Sequence, residues 1–430
     1  MIDARALPTD PRSTARLADA GFDYRTVDMT DPAQAVPFSR AVTRGFLGDE
    51  PTDAALSETV LSMSARRCIG VFRQGAASDE LPVGTIDGWV TPLTIPGGEI
   101  PMWAISGVTV AATHRRRGIA RNMLEGELRT AAAAGVPVAG LTVSEATIYS
   151  RYGFGHAVPM ANVRVDTRRA GWVAPDSPGT VEYIEREQLA RDLEQVHERS
   201  RRVRSGQIPG WAGRWRRMAG LSEADTKAAA VRGVRYIDAQ GEVRGALAYT
   251  LEEHKDEFRA AMHIRHLGAE TDEALRALWG FVVHHDLVTS ADVDLRPVDD
   301  PLPWLVADHR AVTVTVHDHG WLRILDVPAA LSARSYRHPL DIVIRVDDAL
   351  GFADGTWRLT VDENGSASVA ATEDAPHLRM GVVELSSLYA GGVRATQLAA
   401  AGRILGDAAV LASVDDALRT AQAAALGIWY

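Results

Sequence analysis

The segment of the sequence best suited to chemistry is the basic turn Arg115-Arg116-Arg117-Gly118-Ile119-Ala120. Backbone N–H groups at the start of a helix point outward and, together with the helix dipole, favour a bound anion. Arginines add charge-assisted donors for phosphate, and the small residues Gly118 and Ala120 let phosphate oxygens approach the backbone. Because cations at a helix N-terminus are unfavourable without an anion, the turn predicts a diphosphate site rather than a solvated basic helix start.

Two predicted strands and a helix must hold this turn in place. Residues 104–110 have the mixed apolar character of a strand, and residues 117–134 carry apolar side chains at helical spacing. Gly135 and Pro137 are a stop signal for the helix, and a second buried strand follows at 138–143. A strand, a helix and a strand in this order predict a βαβ unit with its two strands parallel.

These residues resemble the acetyl-CoA loop of the GNAT N-acetyltransferase superfamily, Gln/Arg-x-x-Gly-x-Gly/Ala, which appears here as Arg115-x-x-Gly118-x-Ala120. With residues 106–110 before the loop and 144–155 after the next strand, the arrangement is similar to that of the Eis family of bacterial acetyltransferases. The resemblance covers nearly the whole chain. It implies an α/β (α+β) protein with two tandem GNAT domains followed by a sterol-carrier-protein-like domain.

The resemblance also implies roles for individual residues. Tyr149 matches the family's general acid, and Tyr430 matches the C-terminal residue whose α-carboxylate the family uses as a general base. Ser144 and Glu145 would flank the cofactor. The other residues expected to bind acetyl-CoA, along the pantetheine strand and the pyrophosphate loop, are Val108, Thr109, Val110, Arg115, Arg116, Arg117, Gly118, Ile119, Ala120 and Arg121.

Elementary chemistry agrees with the two catalytic roles. An aliphatic amine has a pKa near 10.4, so a nearby carboxylate helps to hold and deprotonate it, and a tyrosine near 10 can protonate a departing thiolate. The alternatives are that Tyr149 is an aromatic core residue and that Tyr430 belongs to a frayed end. Residues 427–430 are apolar with no polar tail, which predicts a packed terminus.

The rest of the chain predicts a degenerate second domain and a third, separate one. In the second α/β region the strand-to-helix turn at 267–274 has Thr271 as an N-cap, followed by acids that would repel a pyrophosphate, so we expect one acetyl-CoA site per chain. The expected domain boundaries are 1–168, 169–316 and 317–430. Residues 1–28 are predicted to be a polar lead-in. Other predicted elements are a hairpin about Gln240-Gly241, a helix at 272–283, a β-meander over 340–369, and helices at 383–389 and 414–425.

Composition excludes several classes of protein. The 430 residues are 46% hydrophobic and 24% charged, which is typical of a globular chain. The net charge of −10 argues against nucleic-acid binding. The single cysteine, Cys68, permits no intramolecular disulfide and is expected in the core. His284-His285-Asp286 lacks a further cluster, so no metal is expected. No signal peptide or membrane span is predicted, so the expected location is cytoplasmic.

The predicted function is an acetyl-CoA-dependent N-acetyltransferase that acts by direct attack of the amine of a cationic substrate, either aminoglycoside-like or lysine-bearing. The alternative is a catalytically weak GNAT pair that serves as a lipid- or partner-binding module. Two departures from the family count against aminoglycosides: the penultimate residue is Trp429 where an acid is expected, and the early pocket acids have no clear match, with Asp49 and Glu50 as nearby candidates. The resemblance further implies a homohexamer.

Overall fold

The computed structural model describes residues 2–77, 79–255 and 258–430. The chain forms two compact units. The first consists of residues 1–158, 319–421 and Tyr430, and the second of residues 159–318 and 422–429. None of the helices in the described ranges combines the length and the apolar character needed to cross a membrane.

Strands and helices alternate along most of the chain. The strands are β1 Phe22–Val27, β2 Arg67–Arg73, β3 Gly84–Ile95, β4 Gly98–Val110, β5 Val138–Thr142, β6 Gly155–Asp166, β7 Thr180–Ile184, β8 Arg232–Ile237, β9 Val243–Glu253, β10 Ala260–Ala269, β11 Val288–Arg296, β12 Val312–Ile324, β13 Leu340–Asp347, β14 Gly355–Val361, β15 Ala367–Ala371, β16 Leu378–Gly381 and β17 Ile404–Gly406. The helices are α1 Pro11–Asp19, α2 Pro32–Gly45, α3 Asp53–Met63, α4 Ile119–Ala133, α5 Ala146–Tyr149, α6 Thr167–Ala170, α7 Arg186–Ser200, α8 Ala212–Met218, α9 Asp272–Val283, α10 Leu302–Leu305, α11 Val327–Ala333, α12 Val382–Leu388, α13 Ala395–Ala400 and α14 Ala408–Leu418.

The main sheet of the first unit has the strand order β1-β2-β3-β4-β5, and residues 320–324 of β12 pair with β5 on its other side. β4 and β5 are parallel, as the βαβ pattern predicted, with Met102–Ala104 opposite Val138–Gly140. The helix between them, α4, buries Met123, Leu124 and Leu128 in the core of this unit. The sheet and this helix position the basic turn.

The predicted polar lead-in at residues 1–28 is wrong, because this segment forms α1 and β1. Asp10 caps α1 by accepting a hydrogen bond from the Ser13 N–H, and Pro11 occupies the first helical turn. Leu17 and Phe22 are then buried in the core of the first unit. The few apolar residues of this segment are spaced to share one buried face, which its overall polarity concealed.

A second, five-stranded sheet in the first unit has the order β15-β14-β13-β16-β17. Its first three strands are the predicted β-meander, and Gly365 turns the chain between β14 and β15 with φ +79°. The helix expected at 383–389 is present as α12. Apolar side chains between this sheet and its helices enclose a cavity of only about 20 Å³.

The helix expected at 414–425 is misplaced. The structure has α14 at Ala408–Leu418, and residues 419–430 are not helical. The alanine-rich composition favours a helix, but Ala424, Ala425 and Leu426 are instead buried in chain without regular secondary structure. Tertiary hydrogen bonds replace the helical ones along this stretch, as described below.

The second unit contains a sheet ordered β6-β11-β10-β9-β8-β7. The predicted hairpin is formed by β8 and β9, with Gly241 at φ +85°, and the predicted helix at 272–283 is α9. β10 and β11 are parallel over Ala260–Ile264, so this unit repeats the strand–helix–strand plan of the first. Trp279 of α9 is buried in the core of this unit.

A buried ion pair joins the two sheets of the first unit. Arg323 on β12 donates to both carboxylate oxygens of Asp348 at 2.8 and 2.7 Å. Burial alone would raise the pKa of the Asp348 carboxyl, but Arg323 outweighs it and holds this pKa below its usual value. The pair therefore stabilises the fold above about pH 4, and this contribution is lost as the pH falls through the lowered pKa.

Replacing Asp348 by alanine is expected to lower the free energy of unfolding by about 3–5 kcal/mol, because it leaves the Arg323 charge buried without a partner. Asp347→Ala is the matched control, since this neighbouring carboxylate makes an exposed ion pair with Arg345 that should contribute about 0–1 kcal/mol. Thermal melting of both variants measures the difference. Equal shifts in melting temperature would contradict the assigned role of the buried pair.

Candidate active site

The basic turn leaves the N-terminus of α4 free to bind an anion. Gly118 precedes α4 with φ +78°, and its side chain position is open, since a β-carbon there would meet only Asn122 Nδ2 at 3.5 Å. No side chain of the described residues caps the first turn of α4, and that turn holds no acid. In the described chain Arg115, Arg116 and Arg117 are exposed and make no ion pair. Backbone N–H groups and arginines are thus available together.

The pantetheine strand predicted at Val108–Val110 lies beside an opening in the sheet. β4 and β5 are paired only as far as Ala104, so among the described strands the last residues of β4 have no partner on that side. A β-bulge lies here, because Thr85 pairs with Thr109 but Asp87 pairs with Ser106. Gly107 has φ +60° within the bulge. The free backbone edge of β4 can accept the amide groups of a pantetheine arm.

Tyr149 is the last residue of the short helix α5, which follows β5. Its ring is buried and meets Phe154 edge-on, with ring centroids 6.1 Å apart. Burial, with a smaller effect of the Glu145 carboxylate, raises the pKa of Tyr149 to about 12. Among the described residues no partner accepts or donates a hydrogen bond at its hydroxyl, so this group is free to bond a ligand. The phenol stays protonated at neutral pH.

The C-terminal residue Tyr430 is fixed at the end of β5. Thr142, the last residue of β5, donates through Oγ1 to the terminal main-chain oxygen of Tyr430 at 2.6 Å. The Tyr430 N–H donates to the same Oγ1 at 3.3 Å. Trp89 on β3 packs edge-on against the Tyr430 ring at 5.5 Å. The terminus is therefore packed rather than frayed.

A buried carboxylate supports this aromatic contact. Arg66 lies over the Trp89 ring, with 4.1 Å from its guanidinium carbon to the ring centroid, and donates to Asp87 at 2.9 Å. Burial raises the pKa of the Asp87 carboxyl, which Arg66 only partly offsets. Asp87, Arg66 and Trp89 thus form a continuous support for Tyr430 within the first unit.

The structure places the predicted residues on consecutive elements around the end of β5. Ser144 and Glu145 are exposed on the segment from β5 to Tyr149. Sequence reasoning missed Thr142 and Trp89, which contact Tyr430 directly. The one available signal was a polar threonine in the otherwise apolar strand at 138–143. Nothing in the sequence marks Trp89 as a neighbour of the C-terminus.

Comparisons with known proteins identify acetyltransferase and sterol carrier domains in this chain. Models of acetyltransferase (GNAT) domains match residues 27–157 and 209–324, and a sterol carrier protein domain matches 327–427. The N-acetyltransferase Eis of Mycobacterium tuberculosis is 34% identical over 345 residues, covering 78% of this chain and 82% of the relative. The chain belongs to the Eis family of GNAT N-acetyltransferases.

Two further relatives of this Eis-family chain span more of its length. An uncharacterized N-acetyltransferase of Streptomyces avermitilis is 34% identical over 397 residues, covering 90% of the chain and 94% of the relative. The crystal structure of Eis1 from Mycobacterium abscessus superposes with a TM-score of 0.80 at 30% identity, covering 95% of this chain and all of that one. Two GNAT domains followed by a sterol-carrier-like domain are thus the shared architecture, and acetyl-CoA is the cosubstrate that the GNAT fold implies.

The second GNAT domain of this Eis-family chain lacks the open, acid-free helix start that the first GNAT domain has at α4. Thr271 Oγ1 accepts a hydrogen bond from the Ala274 N–H at 3.1 Å and so occupies the N-terminus of α9. Asp272 and Glu273 follow in the first turn, where they suit the helix dipole and repel a pyrophosphate. Across the described residues, no group of three or more His, Cys, Asp or Glu side chains could hold a metal ion. Cys68 is buried as a core thiol.

Charge reversal in the loop is the direct test of anion binding. Arg116→Glu is expected to weaken acetyl-CoA binding by about 10- to 100-fold, because it removes a charge-assisted donor and places a carboxylate against the pyrophosphate. Calorimetric titration measures the affinity. Arg12→Glu makes the same change at an exposed position of α1 and should leave binding unaltered. If both variants bind acetyl-CoA as the wild type does, the loop assignment is wrong.

Proposed function

We propose that this protein transfers the acetyl group of acetyl-CoA to an amine by direct attack, with Tyr430 supplying the base and Tyr149 the acid. The observation that carries the proposal is the bond from Thr142 to the Tyr430 terminus. It holds an α-carboxylate at the end of β5, seven residues before the unpartnered hydroxyl of Tyr149. Chain termini are usually poorly ordered, so a terminus that is held by hydrogen bonds beside a strand end suggests a function for it.

Each residue then has a defined task. A terminal carboxyl has a pKa of about 3.3–3.7, so at neutral pH the Tyr430 carboxylate can hold an ammonium group and accept a proton from it. The main chain of Val108–Val110 and the turn at Arg116–Arg121 bind and orient the cosubstrate, with Ser144 and Glu145 beside it. Acetyl-CoA supplies the acetyl thioester. Tyr149 donates a hydrogen bond, and then its proton, to the sulfur that departs.

The acceptor that we propose is a cationic amine, either aminoglycoside-like or lysine-bearing. The net charge of −10 favours the approach of cations. Asp49 is exposed, whereas Glu50 pairs with Arg40 at 3.0 Å, so Asp49 is the freer of the two early acids to contact an acceptor. Trp429 stands where a family acid is expected, so this position supplies no negative charge for an aminoglycoside.

The second candidate function, a lipid- or partner-binding module, is less well supported. The apolar cavity of the sterol-carrier-like domain measures about 20 Å³, which holds about one water molecule rather than a sterol. Leu331, Tyr336 and Leu385 are among the side chains that line this cavity. The domain is then a structural support whose tail ends in the catalytic residue. The homohexamer and the cytoplasmic location remain proposals that rest on the family resemblance and on the absence of a predicted span.

A panel of amines tests the proposal. Release of free CoA is followed at saturating acetyl-CoA with aminoglycosides, lysine-bearing peptides, polyamines and neutral amines, and mass spectrometry checks each product for an added acetyl group. Amine-dependent release that is greatest for polycationic acceptors supports the proposed function. Protein that binds acetyl-CoA but acetylates none of these amines would favour the module instead. Sedimentation of the same sample, with a chain mass of 46.4 kDa, tests the hexamer.

A further inference from the structure

The residues just before Tyr430 are held by a set of side chains in the second unit. The backbone of this tail, residues 422–429, makes hydrogen bonds at Ala423, Ala425, Leu426 and Gly427. The Ala423 N–H donates to Asp299 at 2.9 Å, and Arg204 donates to the Ala423 carbonyl at 3.0 Å. The Ala425 N–H donates to the Ser205 carbonyl at 2.9 Å. Chain without regular secondary structure is thereby held through both its backbone donors and its backbone acceptors.

Both backbone polar groups of Gly427, three residues from the terminus, are hydrogen-bonded to side chains. Its N–H donates to Gln207 Oε1 at 3.2 Å, and its carbonyl accepts from Arg214 Nη2 at 3.0 Å. Arg214 is only 5% exposed and lies over Trp215 at 5.5 Å. Burial, and to a lesser extent Arg217, lowers the pKa of Arg214 to about 9, so it is still charged at neutral pH. In the described chain no carboxylate pairs with Arg214, so its charge is directed at a backbone carbonyl.

The tail lines the cleft of the degenerate GNAT domain. A cavity of about 260 Å³ lies beside the ends of β10 and β11, where these parallel strands are no longer paired, and Ala425, Gly427 and Trp429 form part of its wall. The corresponding opening in the first GNAT domain lies between β4 and β5. In the second domain the capped, acidic start of α9 rejects a pyrophosphate.

We infer that the cleft of the second GNAT domain positions the C-terminal tail instead of binding a cofactor. The cleft holds the tail, and Gln207 and Arg214 are positioning residues that fix Gly427, three residues before the catalytic carboxylate. This inference rests on the proposed role of Tyr430. A catalytic group that is displaced by about 1 Å can lose about 10²-fold in rate, so a loosened tail should lower kcat and leave acetyl-CoA binding intact.

A conservative pair of variants at Gln207 gives the sharpest test. Gln207→Met removes the acceptor and keeps the length of the side chain, whereas Gln207→Glu keeps an acceptor oxygen at this half-buried position. For Gln207→Met we expect hydrogen exchange in residues 423–428 to be about 3- to 10-fold faster and kcat to be about 10-fold lower. The KM for acetyl-CoA should change by less than about 2-fold. Gln207→Glu should restore both the exchange rate and kcat.

Arg214→Met tests the inference independently, because it removes the donor to the Gly427 carbonyl. Arg217→Met is the control, since it removes an exposed arginine from the same helix. We expect about 100-fold lower kcat for Arg214→Met and no change for the control. Faster exchange of the tail without loss of kcat would overturn the inference, as would loss of kcat that Gln207→Glu does not rescue. Failure of the carboxylate role has a different signature, because a C-terminally extended enzyme would then be active while the exchange results were unchanged.

Discussion

An enzyme that carries a few extra residues after Tyr430 is expected to fold, bind acetyl-CoA and lose turnover by about 10²–10⁴-fold. The extension keeps every side chain but converts the terminal carboxylate into a neutral amide. Thr142 can still donate to the remaining carbonyl oxygen, so the local fold can persist while the base is gone. Turnover at saturating amine, together with calorimetric titration of acetyl-CoA, measures the two effects separately.

Three matched proteins make this result decisive. The same residues added to the N-terminus should leave turnover unchanged. Tyr430→Phe keeps the carboxylate and the ring that packs on Trp89, so its activity should stay close to that of the wild type. Deletion of Tyr430 is a weaker test, since it creates a new carboxylate on Trp429 and also removes packing. Full turnover by an extended enzyme whose intact mass has been verified would leave Tyr430 as a packing residue only.

The sequence was sufficient for features that depend on local pattern. The βαβ unit around α4, the hairpin at Gly241, the capped start of α9 and the β-meander follow from periodicity, turn residues and capping, and the structure has each of them. The family followed from a short motif in that local setting. The positions of the predicted site residues on elements near β5 are consistent with it, although their roles remain proposals.

Features that depend on distant contacts were not accessible in this way. Thr142 and Tyr430 are 288 residues apart, and no pattern in either segment records their hydrogen bond. The error at 414–425 has the same origin, because a run of alanines favours a helix until tertiary donors and acceptors such as Gln207 and Arg214 take the backbone groups instead. The N-terminal strand β1 was missed because its alternation is short and its flanks are polar.

Replacing Tyr149 by phenylalanine is expected to lower kcat by about 10²–10⁴-fold and to leave acetyl-CoA affinity almost unchanged. The change removes only the hydroxyl, which makes no hydrogen bond to the described protein, so no internal bond is lost and the ring still packs on Phe154. Tyr152→Phe is the matched control, because Tyr152 is also a buried tyrosine and lies three residues away in the same core. Its loss of a hydroxyl should have little effect on turnover. Steady-state kinetics at saturating amine compare the two.

The pH profile gives a second measure of the same group. The active form is the protonated phenol, which is present below its pKa and lost as the pH rises through it. Since burial raises the pKa of Tyr149 to about 12, this group should cause no fall in kcat up to about pH 10, the ordinary pKa of a tyrosine. A fall in kcat near pH 8–9 that disappears in Tyr149→Phe would show an acid of much lower pKa and contradict the buried phenol described here. A near-normal kcat for Tyr149→Phe would show that Tyr149 has only a packing role. Another group would then have to donate the proton to the departing thiolate.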